Sequence, residues 1–394
     1  MKIAINIEHF TASKGGAERY ASELAKALAD KEHDVHILAY TWYEGCEKDF
    51  HCHRLPYSWF RTFRDIQFVR ATQRVLLKEK YDVCISLSRS INCNIYQPRG
   101  GVHTAYLNRE LNSIHNPILR IVKLLLLKIS LRHFLIKGIE KSLFGRRDII
   151  VVAISEMVKR DILSFYDFPE QNIRVIFNSI DLNKFDLSKN EKFRKEIRSR
   201  YLSDDKDCLV FLFTANNFRL KGLRNLIYAA ALMKKKAKPG TSFRILVIGK
   251  GKKTTYERLA ERLGCKNEFI FVGKTCHAEK FYAAADVLAQ PTFYDPCSRS
   301  TLEAMAAGLP VVTSCQNGAS ELIEDGEHGF VLDDPLDYSL LSEKLMLFTD
   351  KNLKEEMGKN ARKKIEKYSL QQNNQKMIDL CEEMPTTIKT SPDG

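Results

Sequence analysis

The stretch FYDPCSRSTLEAMAAGLPVVTS, Phe293 to Ser314, sets two carboxylates, Asp295 and Glu303, with seven residues between them and closes on Gly-Leu-Pro. A helix is expected through Glu303 to Gly308, with Ser298 or Ser300 as its cap. The first N–H groups of such a helix favour phosphate. Carboxylates beside them cannot hold phosphate, so they must accept hydrogen bonds from something neutral and rich in hydroxyls. A sugar and a ribose meet that demand.

A second loop carries the opposite charge. FRLKGL follows the apolar run CLVFLFTANN and places Arg219 and Lys221 just past a strand end. Two cations there can neutralise a diphosphate without a metal. Standing alone, the pair also reads as a solvated surface feature. A third loop, Ser13, Lys14, Gly15 and Gly16, follows the first strand. Its glycines let a backbone approach a ligand and open a helix, although most such turns are structural and no complete GxGxxG is present.

The elements that must position these loops alternate. KIAINIE reads as a strand, SKGGAERYASELAKALADK as a turn and amphipathic helix, and HDVHILAY as the next strand. YDVCISLS, DIIVVAIS and IRVIFNSI continue the series. A charged stretch from Asp181 to Asp207 interrupts it. Then CLVFLFTANN, FRILVIGKG, EFIFVGK, AEKFYAAADVLAQ and GFVLDD resume it. Strands alternating with helices imply parallel, doubly wound sheets, whose ligands sit beyond the carboxyl ends of the strands. The fold expected is α/β, two Rossmann-like domains over residues 1–180 and 181–365, with a helical segment 366–394 returning to the first.

Composition bounds the partners. Lys and Arg exceed Asp and Glu by 62 to 49, a net charge of +13, which points to an anionic partner without naming it. Ten scattered cysteines without a CxxC pair suit reduced thiols in a cytosolic protein. MKIAINIEHF lacks a cationic head and a long apolar run, so no signal peptide is expected. Cys46, His51, Cys52 and His53 lie close together, but the tight spacing of a structural zinc site is missing and no metal is assigned. Asp204, Asp205, Asp207, Asp333 and Asp334 read as solvated surface rather than as metal ligands.

DPCSRSTLEAMAAGLPVV resembles the E-x7-E region of retaining glycosyltransferases of the GT-B fold, family 4 type, with Asp295 in place of the first glutamate and Glu303 as the second. The resemblance extends to the Gly15-Gly16 loop, the segment Asn178 to Asp181, Arg219 and Lys221, LVIGKG, FVGK and ASELIEDGEHGFVL. Within that group the chain looks most like lipopolysaccharide core glucosyltransferases.

The resemblance implies a GT-B architecture, two domains facing a cleft, and a set of roles. Arg219 and Lys221 would hold the donor diphosphate and stabilise the leaving nucleotide. Glu303 would accept from the ribose hydroxyls, and Asp295 from hydroxyls of the transferred sugar. Amides at Ser298, Arg299 and Ser300 would help the phosphate, and Gly273, after Val272, would lie near the nucleobase. His103 in GGVHTAYL matches a histidine that contacts the donor sugar, although a buried structural histidine reads equally well from the residues alone. Ser179 stands where the family commonly has glycine. The resemblance further implies a front-face retaining mechanism and no cofactor beyond the nucleotide sugar, with UDP-glucose as the expected donor and galactose, mannose, N-acetylglucosamine or heptose as the alternative transferred sugars.

Residues 105–147 carry nine Lys or Arg against two acids, interleaved with apolar runs. Arg120, Lys123, Lys128, Arg132 and Lys137 interrupt them too often for a membrane span. Such a segment can lie in the interface of an anionic membrane, with a break near Ile129 to Arg132 separating two helices. It can also be a helical excursion packed on the first domain. The expectation is a cytoplasmic enzyme, peripheral on the inner face of the inner membrane, moving a hexose to a lipid-linked saccharide. Nucleic acid is not expected, because the basic residues sit among leucines with no reading surface. A nicotinamide-dependent oxidoreductase lacks its fingerprint glycines, and a silent sugar-nucleotide binder would show the same site.

Overall fold

The structure is a computed structural model that describes residues 1–11, 15–57, 59–202, 208–238 and 240–384. The chain divides into two compact units. One comprises Met1–Phe177 with the described residues of Leu370–Gly394, and the other Asn178–Ser369.

The first unit contains β1 (Lys2–Asn6), β2 (His9–Phe10), β3 (Asp34–Ala39), β4 (Thr41–Trp42), β5 (His51–Arg54), β6 (Val83–Ser86), β7 (Ile95–Tyr96), β8 (Ile150–Ala153) and β9 (Ile173–Val175). All but β2 and β4, which pair with each other, form one parallel sheet in the order β5-β3-β1-β6-β7-β8-β9. The helix Gly16–Ala29 covers this sheet with Tyr20, Ala21, Leu24, Ala25 and Leu28, the spacing of one helical face. The helix Leu370–Glu382 belongs to the same core through Met377, Ile378, Leu380 and Cys381. Each large apolar side chain so buried contributes about 1.5–3 kcal/mol.

The second unit contains β10 (Leu209–Ala215), β11 (Phe243–Gly249), β12 (Phe269–Gly273), β13 (Val287–Gln290), β14 (Val311–Ser314) and β15 (Gly329–Leu332). They form a parallel sheet ordered β12-β11-β10-β13-β14-β15. β13 and β14 are buried throughout, as expected for parallel strands covered by helices on both faces. The charged stretch beginning at Asp181 is mostly not a loose joint. Helix Asn190–Tyr201 is fastened to the second unit where Arg194 and Arg198 meet buried Asp286 at 2.8 and 2.7 Å. Asp204, Asp205 and Asp207 lie outside the described residues, whereas Asp333 and Asp334 are exposed after β15.

Beyond helix His103–Asn112, the basic segment continues in two helices, Pro117–Lys128 and Leu131–Phe144, with the break near Ile129. They differ in kind. Leu131–Phe144 buries Ile136, Ile139, Glu140, Leu143 and Phe144, so its C-terminal half packs on the first unit. Pro117–Lys128 buries no residue: Ile118, Leu119, Ile121 and Leu125 are each more than half exposed. The packed-excursion reading therefore holds for the second helix and fails for the first. Among the described residues, no helix is long and apolar enough to cross a membrane.

The ten cysteines are all free, and most are buried. The cluster at Cys46 to His53 is divided by strand alternation. Cys52 turns to one face, where its sulfur meets that of Cys46 at 3.1 Å. His51 and His53 turn to the other, where both rings stack against His36 of β3. The four residues thus do not converge on one point.

Candidate donor-binding site

The candidate site is built on the loops that leave β10 and β13, two neighbouring strands of the second sheet. After β10 the chain turns through Asn217, whose carbonyl accepts from the Lys221 amide at 3.1 Å and whose side chain accepts from Leu220 at 3.2 Å. Gly222 then starts the helix Leu223–Lys236 with φ of +80°, and a Cβ there would lie 1.9 Å from the Pro291 carbonyl oxygen. A non-glycine residue would suffer both left-handed strain and a backbone collision. From the other side, Gly251 in the turn after β11 lets the Phe218 ring in, since a Cβ would sit 2.2 Å from it. These two glycines set where Arg219 and Lys221 emerge.

After β13 the chain passes Asp295 and enters helix Arg299–Ala306. The Asp295 backbone is clamped to the Gln316–Gly318 turn by bonds of 3.0 and 2.8 Å. Its carboxylate is in direct contact with the Lys221 ammonium. Both side chains are mostly buried, at 16 and 19% exposure. Desolvation pulls the Lys221 ammonium down from its ordinary value, to about 7, while Cys297 acts weakly in the opposite sense. The pair thus holds an amine and a carboxylate in contact and largely out of water.

Glu303 sits one helical turn into Arg299–Ala306, partly exposed, and accepts at 2.9 Å from the hydroxyl of fully buried Tyr282. Burial first, and the Glu303 charge second, push the Tyr282 hydroxyl well above its ordinary value. It therefore remains a donor and fixes one carboxylate oxygen in place.

Capping differs from expectation. Ser298 occupies the N-cap position but its side chain does not cap the helix. Its hydroxyl donates to Gln290 Oε1 at 3.0 Å, as does that of Ser300, and the two hydroxyls are 2.8 Å apart. The Ser298 amide donates at 3.1 Å to Asn317 Oδ1. The reason is competition: buried Gln290 and Asn317, both fully inaccessible, need partners of their own. Asn178, which opens a stretch that carries the resemblance, donates from its side chain to the Cys297 carbonyl at 2.8 Å, whereas Gln290, Asn317 and Tyr282 position the site with no signal in the sequence. Each looks like an ordinary strand, turn or helix residue until its partner is known. Ser179 does not have positive φ, so this turn needs no glycine.

Of the other expected residues, Arg219 leaves the same loop as Lys221 and lies near Tyr256, lowering the hydroxyl value that burial raises. Gly273 ends β12 with φ of +88°, and Val272 precedes it at a register shift against β11. Arg299 begins the Glu303 helix. The remaining residues belong to the first unit. Gly15 is an extended residue preceding the helix that Gly16 opens, and Ser13 and Lys14 lie outside the described residues. His103 starts helix His103–Asn112 and is 5% exposed. Its amide donates to Glu140, and its ring meets His133 at 2.9 Å. Desolvation, then Arg89 and His133, lower its imidazole to about 3.

Comparison with known proteins agrees with this architecture. Residues 14–184 match the family model Glycosyltransferase Family 4, and residues 193–364 match Glycosyl transferases group 1. The chain is similar along its length to the lipopolysaccharide glucosyltransferase WaaG of Escherichia coli, at 22% identity over 93% of this chain and 95% of that one. A crystal structure of WaaG superposes with a TM-score of 0.79 and 21% identity, covering 97% of this chain and all of the other.

The chain belongs to the GT-B glycosyltransferases, family 4 type.

An uncharacterized glycosyltransferase of Methanocaldococcus jannaschii is 31% identical, but the matched stretch spans only 56% of either chain. HepE of Anabaena, solved in complex with UDP and glucose, shares the fold at a TM-score of 0.70 and 18% identity, over 97% of this glycosyltransferase and 99% of HepE.

Proposed function

We propose that this glycosyltransferase transfers a hexose, glucose from UDP-glucose, to a lipid-linked saccharide such as a lipopolysaccharide core, with retention of configuration and without a catalytic metal. The observation that carries the reading is the buried Lys221–Asp295 pair beside the Tyr282–Glu303 pair. It sets a cation for phosphate next to two oriented carboxylates for hydroxyls. The similarity to WaaG over nearly the whole chain supports the acceptor class, and the nucleotide and sugar bound in HepE support the donor class.

In this reading a donor diphosphate draws Lys221 from Asp295, and Arg219 joins it. Asp295, released, accepts from hydroxyls of the sugar. Glu303 accepts from the ribose, while Gly273 and Val272 border the base. Gly15 and Gly16 admit the acceptor, and His103 keeps the sugar contact that the resemblance implies. The bond between the anomeric carbon and the β-phosphate oxygen breaks, and the acceptor oxygen bonds that carbon on the same face. The acceptor proton passes to the departing phosphate, whose charge the two cations stabilise. No protein carboxylate is needed as nucleophile.

The exposed helix Pro117–Lys128 supports a membrane-bound acceptor. Its apolar side chains stand in solvent with Arg120, Lys123 and Lys128 among them, a composition suited to an anionic lipid surface.

Calorimetric titration with UDP-, GDP- and ADP-sugars in EDTA, followed by NMR of the product anomer, tests the proposal. Selective UDP-glucose binding that Lys221→Met weakens, and an α-linked product from the α-linked donor, are expected. Failure of every donor to bind overturns the proposal.

A further inference from the structure

The edge of the first sheet holds a cluster that the transferase reading does not use. His36 of β3 is 5% exposed, and its Nε2 faces Asp34 Oδ2 at 3.2 Å. Its Nδ1 faces His53 Nε2 of β5 at 2.8 Å. Glu79, at the C-terminus of helix Arg64–Lys78, brings a carboxylate oxygen within 4.8 Å of both nitrogens. The Tyr81 hydroxyl closes the group, 3.4 Å from each of these two nitrogens and 3.3 Å from Glu79 Oε2.

The tautomers follow from the acceptors. Asp34 can only accept, so His36 carries its proton on Nε2 and its bare Nδ1 accepts from His53 Nε2–H; metal binding shifts the His53 proton to its Nδ1 and frees both facing nitrogens. A carboxylate behind one ring nitrogen, with the other nitrogen bare, is the arrangement that orients a metal-ligating histidine. Ligand atoms around a tetrahedral zinc ion bound at 2.0–2.1 Å are about 3.3 Å apart. The Nδ1–Nε2 pair needs only a small opening to reach that spacing.

The geometry points to a site for one divalent transition cation of the zinc class, held by His36 Nδ1, His53 Nε2 and Glu79, with a water in the fourth position and Asp34 orienting His36. The imidazole and carboxylate donor set suits zinc. Lys2, which pairs with Glu79 at 2.7 Å across a partly exposed contact, is the group the cation displaces, and such pairs are weak. His51 also stacks on His36, but it is largely exposed and reaches only the far oxygen of Asp34, at 3.4 Å. The ion would tie β3, β5 and the end of helix Arg64–Lys78 together. It takes no part in sugar transfer, so the proposal stands apart from the donor reading.

The test uses the full chain, stripped with chelator, dialysed and titrated with zinc by calorimetry and with cobalt by visible absorption. One zinc per chain is expected, with cobalt bands of tetrahedral nitrogen and oxygen ligation and no thiolate charge transfer. His53→Ala and Glu79→Gln, both at partly exposed positions, should each weaken zinc at least tenfold with unchanged circular dichroism. His51→Ala and the double variant Cys46→Ser/Cys52→Ser should bind as the parent does. Absence of stoichiometric binding overturns the proposal. So does binding that survives His53→Ala and Glu79→Gln, or that disappears with His51 or the cysteines.

Discussion

Lys221→Met separates the two roles that the buried lysine combines. The Lys221 ammonium pairs with Asp295, and both side chains are largely withdrawn from water. Methionine keeps the stem's volume and removes the charge. Leaving a carboxylate buried without its partner costs about 3–5 kcal/mol, which lowers the unfolding midpoint. With donor present, the lost charge-assisted contact to phosphate is worth about 1.5–3 kcal/mol, or roughly 10- to 150-fold in donor affinity. The double variant Lys221→Met/Asp295→Asn distinguishes these effects. It removes both charges, so stability should return to within about 1 kcal/mol of the parent while UDP-sugar affinity stays weak. Denaturant unfolding reads the first quantity and calorimetry the second. If Lys221→Met binds UDP-glucose as the parent does, or the double variant recovers donor binding, the phosphate role of Lys221 is wrong.

Glu303→Gln keeps an acceptor for Tyr282 and should cost about tenfold in donor affinity with little change in stability, whereas Glu303→Leu leaves the buried hydroxyl with Thr214 alone and should also cost about 1 kcal/mol in denaturant unfolding. Gly222→Ala should lower stability by about 2 kcal/mol or more, because it adds left-handed strain to the collision with Pro291, and the loss should appear equally with and without donor. His103 stays neutral down to about 3 when folded but takes a proton near 6.5 when unfolded. Between those values the unfolded chain binds more protons, so stability falls as pH drops from 6.5 toward 3. His103→Asn should make the slope of unfolding free energy between pH 4 and 6 shallower by up to about 1.4 kcal/mol per pH unit. Ile121→Asp with Leu125→Asp should abolish flotation with anionic vesicles while leaving the melting temperature unchanged, since both side chains are exposed.

The alternation of strands and helices was legible because parallel strands covered on both faces must be apolar throughout, as Val287–Gln290 and Val311–Ser314 are. The loops after β10 and β13 that carry Lys221 and Asp295, and the helix beyond that carries Glu303, were legible too, because each follows an apolar strand. The supporting polar residues were not. Gln290 lies inside a buried strand and Asn317 in a turn, and nothing local says that one receives two serine hydroxyls and the other the Ser298 amide. The Ser298 cap failed for the same reason: a local rule lost to a tertiary partner. His36, Asp34 and Glu79 were not legible because β3 and the end of helix Arg64–Lys78 bring them to His53 from distant stretches of sequence, while the sequence-adjacent cysteines lie on the other face of β5.

The helix Leu370–Glu382 gives the chain an unusual order of completion. The second unit is one uninterrupted stretch, Asn178–Ser369, enclosed between the two pieces of the first. On the ribosome it can close as soon as its own residues emerge, while the first sheet waits for Met377, Ile378 and Cys381 to cover Tyr20 and Leu24. At ordinary elongation rates that wait is on the order of tens of seconds. During it the apolar helix Pro117–Lys128 is already outside, on a unit whose core is still open. A newborn chain can therefore meet a lipid surface or a chaperone before it can become an enzyme, and a chain cut short before Leu370 should be handed to proteolysis rather than to catalysis.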